Sequence, residues 1–142
     1  MQANLADIGV KLNLELMANP TLRDKIDKGD FDICLGAWSP DFADPYMFMN
    51  FWFDSAKAGL PGNRSFYKND KVDELVRKAE VSSDVEERKK LYSEAQDIIM
   101  QDAPYIFLYQ IQTIVPLRAN VQGYVFNPML ESMYNFESIS KK

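Results

Sequence analysis

Two carboxylates, Asp41 and Asp44, stand three residues apart in the segment "GAWSPDFADP", Gly36 to Pro45, of a chain that contains no histidine. Paired carboxylates can share acid and base roles, as in a glycosidase or an acid protease. The same residue types also have structural uses. Asp44 directly precedes Pro45 and fits a helix N-cap, its side chain accepting from the backbone of a helix that begins with the proline. Asp41 follows Pro40, an arrangement that suits a type I turn as well as it suits a site.

Other chemistry finds less material. The absence of histidine removes the commonest general base and the commonest metal ligand together, which leaves the serines without an activating partner. Carboxylate-only ligation would suit a calcium loop, and the spacing of such a loop is not present. Cys34 is the single cysteine, excludes an internal disulfide, and alternates with apolar neighbours as a small hydrophobe would. "NRS", Asn63 to Ser65, matches a glycosylation acceptor, a tripeptide common by chance. No glycine-rich phosphate loop is present, and these residues imply no cofactor and no metal.

Immediately after Asp44 the chain runs into "PYMFMNFWF". Trp38, Phe42, Tyr46, Phe48, Phe51, Trp52 and Phe53 place seven of the chain's 18 aromatic residues within 16 of its 142 positions. Even spacing would give about two. A helix over 45–53 is apolar nearly all round, so it must be covered on more than one side, by this domain or by another. The second possibility defines an alternative function, a protein interaction domain that docks through the aromatic helix 45–53.

The whole chain bounds these readings. At 142 residues, 46% hydrophobic and 26% charged, residues 1–142 read as one domain with a real core. A net charge of -5 with dispersed lysines and arginines argues against nucleic acid or an anionic membrane as partner. No apolar run approaches the roughly 20 residues of a membrane-spanning helix, and "MQANLADIG" lacks the regions of a secretory signal.

The elements that must position the carboxylates are an alternation of helices and strands. "NLADIG" reads as a helix end closed by Gly9, and "VKLNLELM" alternates Val10, Leu12, Leu14 and Leu16 with polar residues as a strand does. "NPTLRDKIDKG" is a short helix with Asn19 as cap, Pro20 in its first turn, Leu22 and Ile26 on its apolar side and Gly29 at its end. "FDICLGAW" is the next strand. Strand, helix and strand make a βαβ unit, and ligands on such sheets gather beyond the carboxyl ends of the strands, where "WSPDFADP" lies. Downstream, "NDKVDELVRKAE" carries Val72, Leu75, Val76 and Ala79 at helical spacing. A longer helix follows, with Ser83 and Glu86 as a capping box, Val85, Leu91, Tyr92, Ala95, Ile98 and Ile99 inward, outward pairs Asp84–Arg88 and Glu86–Lys90, and Pro104 as its stop. "YIFLYQIQTIVPL" reads as a long strand, with shorter ones at "GYVF" and "YNFESI".

In this order, "LADIGVKLNLELM", "GDFDICLGAWSPDFADP", "NDKVDELVRKAE", "DVEERKKLYSEAQDIIMQDAP", "YIFLYQ" and "VQGYVFNP" resemble the C-terminal part of the family 5 extracellular solute-binding proteins, the peptide-binding receptors of ABC importers. The resemblance implies an α/β fold: a partial second lobe of a type II periplasmic-binding-protein-like architecture, with a mixed sheet and flanking helices, truncated at its N-terminus. It implies a non-enzymatic receptor for di- or oligopeptides that works outside the cytoplasmic membrane, in the periplasm or as a cell-surface lipoprotein. Its partners would be a first lobe of the same protein and the membrane subunits of the importer. A strand edge left unpaired by the missing part would favour a homodimer or strand exchange.

The resemblance also implies roles. In peptide-binding members the aspartate three residues after the motif tryptophan, here Asp41, holds the ligand's α-ammonium. Trp38 would flank the first ligand side chain, and the backbone of Ala37 and Ser39 would pair with the ligand main chain by strand addition. Some oligopeptide receptors carry an arginine three residues before the tryptophan; Leu35 stands there in this chain.

Overall fold

The structure, a computed structural model, describes residues 1–127 and 136–142. Its core is built by three helices, α3 (Pro45–Phe53), α4 (Asp70–Val81) and α5 (Val85–Asp102), preceded by α1 (Gln2–Ala6) and α2 (Asn19–Lys28).

Helix α4 forms where an apolar stripe and a strong cap coincide. Asn69 accepts from the amides of Lys71 and Val72 at 3.0 and 3.3 Å, and Asp70 and Asp73 complement the positive end of the helix dipole. Val72, Leu75, Val76 and Ala79 follow at helical spacing and are essentially sealed from solvent. On α5, Leu91, Tyr92, Ala95 and Ile99 face this stripe. Helix α3 lays Met49 and Phe53 across both, so one cluster unites the three helices. Burial of this kind stabilises by about 1.5 to 3 kcal/mol for each large side chain.

Two predicted details of α5 change. The cap is Asp84, whose carboxylate accepts from the amides of Glu86 and Glu87 at 2.9 and 3.1 Å, in place of the Ser83–Glu86 box. A short, charged acceptor takes two orphan amides at the positive end of the dipole, which a Ser83 hydroxyl one residue upstream does not. Val85, in the first turn, is exposed, and Ile98 is only partly buried. Glu86 pairs with Lys89 at 2.7 Å, three residues on, and Arg88 turns away from Asp84 towards the core side of the helix. The helix stops at Ala103, left-handed at φ +48°, just before Pro104.

In the N-terminal part, Gly9 (φ +79°) and Gly29 (φ +69°) close α1 and α2 in the left-handed conformation expected of them. Asn19 lies inside α2, and the cap position is Ala18, which contributes no side-chain bond. The segments read as strands at 10–17, 31–38 and 105–117 carry no ladder. Among the described residues the sheet is a single antiparallel ribbon, β1 (Val121–Gln122) against β2 (Ser140–Lys141), with Val121 opposite Lys141. The physical reason is that alternation prepares one face of a strand, whereas a ladder also needs a neighbour within hydrogen-bonding distance. Leu14, Leu16, Leu35, Ile106, Ile111 and Ile114 are accordingly exposed. The ribbon sits just before the predicted "GYVF" strand. Of "YNFESI", Tyr134 and Asn135 lie outside the described residues, and Phe136–Ser138 forms a 3-10 turn.

Candidate functional site

The loop that joins Trp38 to Asp44 is fixed at both of its ends. At the upstream end, the half-buried Trp38 ring stacks on Phe51 (centroids 5.5 Å apart, 15° between planes) and meets Phe48 and Trp52 edge-on at 5.7 and 5.5 Å. Trp52 is itself flanked by Tyr105 at 5.9 Å and by the Arg64 guanidinium, 4.7 Å from its ring centroid. Offset and edge-on geometries of this kind are the favoured ones for aromatic pairs, and a guanidinium over indole adds a cation–π contact. The dense run of aromatics is therefore divided: Met47, Met49 and Phe53 are buried, Met49 and Phe53 in the three-helix core, while Phe48, Phe51 and Trp52 hold Trp38.

At the downstream end stands Asp44. Its Oδ1 accepts from the amide of Tyr46 at 2.8 Å, the N-cap expected from its place before Pro45. Arg88 Nη2 donates to both carboxylate oxygens, at 2.7 and 3.0 Å. The hydrogen bonds from Arg88 and from the Tyr46 amide hold the Asp44 carboxyl below the usual carboxylate range, against the opposing effect of burial. This carboxylate is an ionised structural anchor, which removes it from a catalytic pair with Asp41.

Asp41 is different. It is exposed, and among the described residues its side chain has neither a hydrogen bond nor an ion pair, although the chain bends through 41–44 and the Asp44 amide donates to the Phe42 carbonyl at 3.0 Å. Ala37 is exposed and Ser39 half-buried on the same stretch. Asp41, Trp38, Ala37 and Ser39 thus share one loop and its approach, with the tryptophan held against α3. Tyr46, beyond the cap, stacks on Phe42 at 6.3 Å and accepts a hydrogen bond from Lys57 Nζ at 2.8 Å.

Several residues that fix this loop were not legible as such. Arg88 reads in the sequence as the i+4 partner of Asp84, and nothing in the local pattern connects it to Asp44, 44 positions away. Arg64 and Lys57 likewise act on aromatic rings far from them in sequence. Asn63 of the "NRS" triplet is fully buried, its amide donating to the carbonyls of Asp54 and Tyr67 and its Oδ1 accepting from Ser65 and Tyr67. A residue committed in this way is a loop organiser and not a surface acceptor for a glycan.

Residues 1–59, which include the whole loop, match the family described as bacterial extracellular solute-binding proteins, family 5 middle. The chain is 51% identical over 140 residues to the probable D,D-dipeptide-binding periplasmic protein DdpA of Escherichia coli (strain K12), covering 99% of this chain and 27% of that protein. It is 34% identical to the di/tripeptide-binding protein 4 of Pseudomonas aeruginosa (strain UCBPP-PA14), over 100% of this chain and 26% of that one. Among solved structures, the ABC transporter-associated periplasmic binding protein DppA of Helicobacter pylori, in complex with the peptide STSA, superimposes with a TM-score of 0.68 at 37% identity, covering 74% of this chain and 21% of that chain. HbpA2 of Haemophilus parasuis superimposes with a TM-score of 0.76 at 29% identity, over 99% and 27% respectively. The helices and small ribbon are thus a partial α/β lobe of the periplasmic-binding-protein kind. These matches support a fragment of a family 5 bacterial extracellular solute-binding protein. It spans about a quarter of the length of the curated relatives named here.

Proposed function

We propose that residues 1–142 form the C-terminal lobe of a receptor that captures di- or oligopeptides outside the cytoplasmic membrane and delivers them to the membrane subunits of an ABC importer. In this reading the chain is a binding component and not an enzyme. Asp41 takes the ligand's α-ammonium, Trp38 flanks the first ligand side chain, and the backbone at Ala37 and Ser39 runs beside the ligand main chain. The first lobe of the same protein supplies the opposing wall.

The observation that carries this reading is the contrast between neighbouring acids. Asp44 and Asp54 are both committed to arginines, whereas Asp41 is exposed and unpaired among the described residues, on a loop anchored at each end. A carboxylate kept without an internal counterion can make charge-assisted hydrogen bonds of about 1.5 to 3 kcal/mol to an ammonium group brought out of water. The peptide-binding names of the relatives, and the peptide held by the Helicobacter pylori protein, support the ligand class. Docking through helix 45–53 is the weaker reading, because Met47, Met49, Asn50 and Phe53 are already buried within this chain.

The test is calorimetric titration of the two-lobed receptor carrying this chain with D-alanyl-D-alanine and L-alanyl-L-alanine, as wild type and as Asp41→Ala. Removal of the ammonium's partner is expected to weaken binding by about 2 to 5 kcal/mol. Unchanged affinity in the variant rejects the role given to Asp41. Absence of binding by the wild type to any di- or oligopeptide rejects the peptide reading altogether.

A further inference from the structure

The side chain of Arg88 reaches three elements at once. It projects from the first turn of α5; its Nη2 donates to both oxygens of Asp44 at 2.7 and 3.0 Å, and its Nε donates to the carbonyl of Ala79 in the last turn of α4 at 3.1 Å. Its guanidinium also lies 5.7 Å from the centroid of the Tyr92 ring. Carbonyls in the last turn of a helix have no partner within the helix, so the contact with Ala79 caps α4 while the contact with Asp44 pins the start of α3. Both Arg88 and Asp44 are about one-quarter exposed in their side chains, so the pair is partly screened from water. The arginine charge is neutralised by Asp44 and leaves Asp41 without a counterion.

Five residues, 39–43, separate Trp38 from Asp44, and Asp41 is the middle one. The upstream end is set by the stacking of Trp38, and Phe42 is steadied by Tyr46. At the downstream end Asp44 is held both by the Tyr46 amide that it caps, at 2.8 Å, and by the Arg88 ion pair, at 2.7 Å. We propose that Arg88 is the positioning residue for ligand capture: by clamping Asp44 it holds the short loop so that the Asp41 carboxylate stands ready for the incoming amine. This rests on the assignment of the α-ammonium to Asp41. A loop already held in its binding geometry loses less conformational freedom when ligand arrives, and the benefit falls on the contact made by its middle residue.

The experiment compares affinities for a free dipeptide, alanyl-alanine in the L,L or D,D form, and for its N-acetylated counterpart, in the complete receptor. Acetylation removes the ammonium charge, so the ratio of the two affinities reads the Asp41 contact rather than overall stability. Arg88→Met is expected to weaken free dipeptide about tenfold or more and to shrink the ratio, with Arg88→Lys recovering part of it. Arg77→Met, which cuts the ion pair at the opposite end of α3, serves as the control: it lowers the melting temperature and leaves the ratio unchanged. Should Arg88→Met fail to fold, Asp44→Asn keeps an N-cap and loses the charge, and it should shrink the ratio in the same way. A collapsed ratio in Asp41→Ala together with a wild-type ratio in Arg88→Met and Asp44→Asn overturns the positioning role and leaves the Asp41 assignment standing. A wild-type ratio in Asp41→Ala overturns both.

Discussion

Asp54 closes helix α3, and Arg77 of α4 holds it there, with Nη2 2.6 Å from one carboxylate oxygen and Nε 3.1 Å from the other. The same carboxylate accepts from the amide of Ala56 at 2.9 Å and so begins the 3-10 turn Ser55–Lys57. Helix α3 is therefore clamped at each end by an aspartate–arginine pair, Asp44–Arg88 at its start and Asp54–Arg77 at its finish. Asp54 is nearly buried and Arg77 half exposed, so Asp54→Ala should cost about 2 to 3 kcal/mol, less than loss of a fully buried pair. Urea unfolding of this chain and the variant measures it, and a difference below 0.5 kcal/mol on the scale of ordinary surface changes, about that size or less, would contradict the clamp.

The two clamps give stability a pH dependence of definite sign. Hydrogen bonds from Arg77 and Arg88 lower the carboxyl pKa values of Asp54 and Asp44 beneath their ordinary 3.8. A group whose folded value is depressed contributes stability that is complete above the unfolded value and is lost as pH falls through the folded one. The contribution of these pairs to the melting temperature should thus be level from neutral pH to about pH 5 and decline below about pH 4. The double variant Asp44→Asn/Asp54→Asn should show a shallower acid decline than the wild type; an equal slope would remove these two groups from the explanation.

Inside the core, Tyr92 donates its hydroxyl to Asn50 Oδ1 at 2.9 Å, and Asn50 Nδ2 donates to the Val76 carbonyl at 2.8 Å and to Glu80 at 3.1 Å. Asn50 is fully buried between the three helices, so each of these bonds is needed. Tyr92→Phe leaves Oδ1 without its donor and should cost about 1 to 2 kcal/mol, and Asn50→Leu should cost more because the tyrosine hydroxyl then loses its acceptor as well. Thermal unfolding of the two variants gives the order, and a more stable Asn50→Leu would show that the polar contact is dispensable.

Backbone approach sets a further requirement at Gly62. A Cβ there would collide with the carbonyl oxygen of Phe51, whereas one at Gly36 would meet nothing within 4 Å. Gly62→Ala should destabilise by about 1 to 3 kcal/mol or more through forced movement of the loop after α3. Gly36→Ala should stay within about 0.5 kcal/mol. Equal stabilities for the two variants, read from denaturant midpoints, would refute the close approach.

Under the proposed function, this chain alone should bind dipeptides at millimolar concentration or not at all. A single lobe offers one wall of the cleft, so the ligand keeps most of its hydration and the Asp41 contact stays screened. Micromolar binding by residues 1–142 in a calorimetric titration would show that the second wall is unnecessary.

Helices were legible where cap and stripe agree. Asn69 with Val72, Leu75, Val76 and Ala79 fixes α4 within a single turn-by-turn pattern, and Pro45 after Asp44 announces the start of α3, since each signal acts over three or four residues. The strands were legible only as alternation. Val10 to Leu16 and Phe31 to Ala37 have the period of a half-buried strand, yet a ladder depends on a neighbour that the segment itself does not specify. The candidate site divides in the same way. Residue type marked Asp44 as a helix cap before Pro45 and left Asp41 open between a turn and a site, while the ligand roles of Asp41 and Trp38 came from the family resemblance and not from the local pattern.

The helical elements, the apolar faces that join them and the resemblance to a solute-binding family were legible in the amino-acid sequence, because all of these depend on local spacing or on the order of motifs along the chain. Tertiary structure alone decided which aspartate is spent on an arginine. Arg88 meets Asp44 across 44 positions, and Trp38 meets Phe51 and Trp52 of α3 across 13 and 14. Charge pairing and ring stacking act through space over a few ångströms, so the partners of a side chain are settled by how the helices pack and not by what stands beside it in the chain.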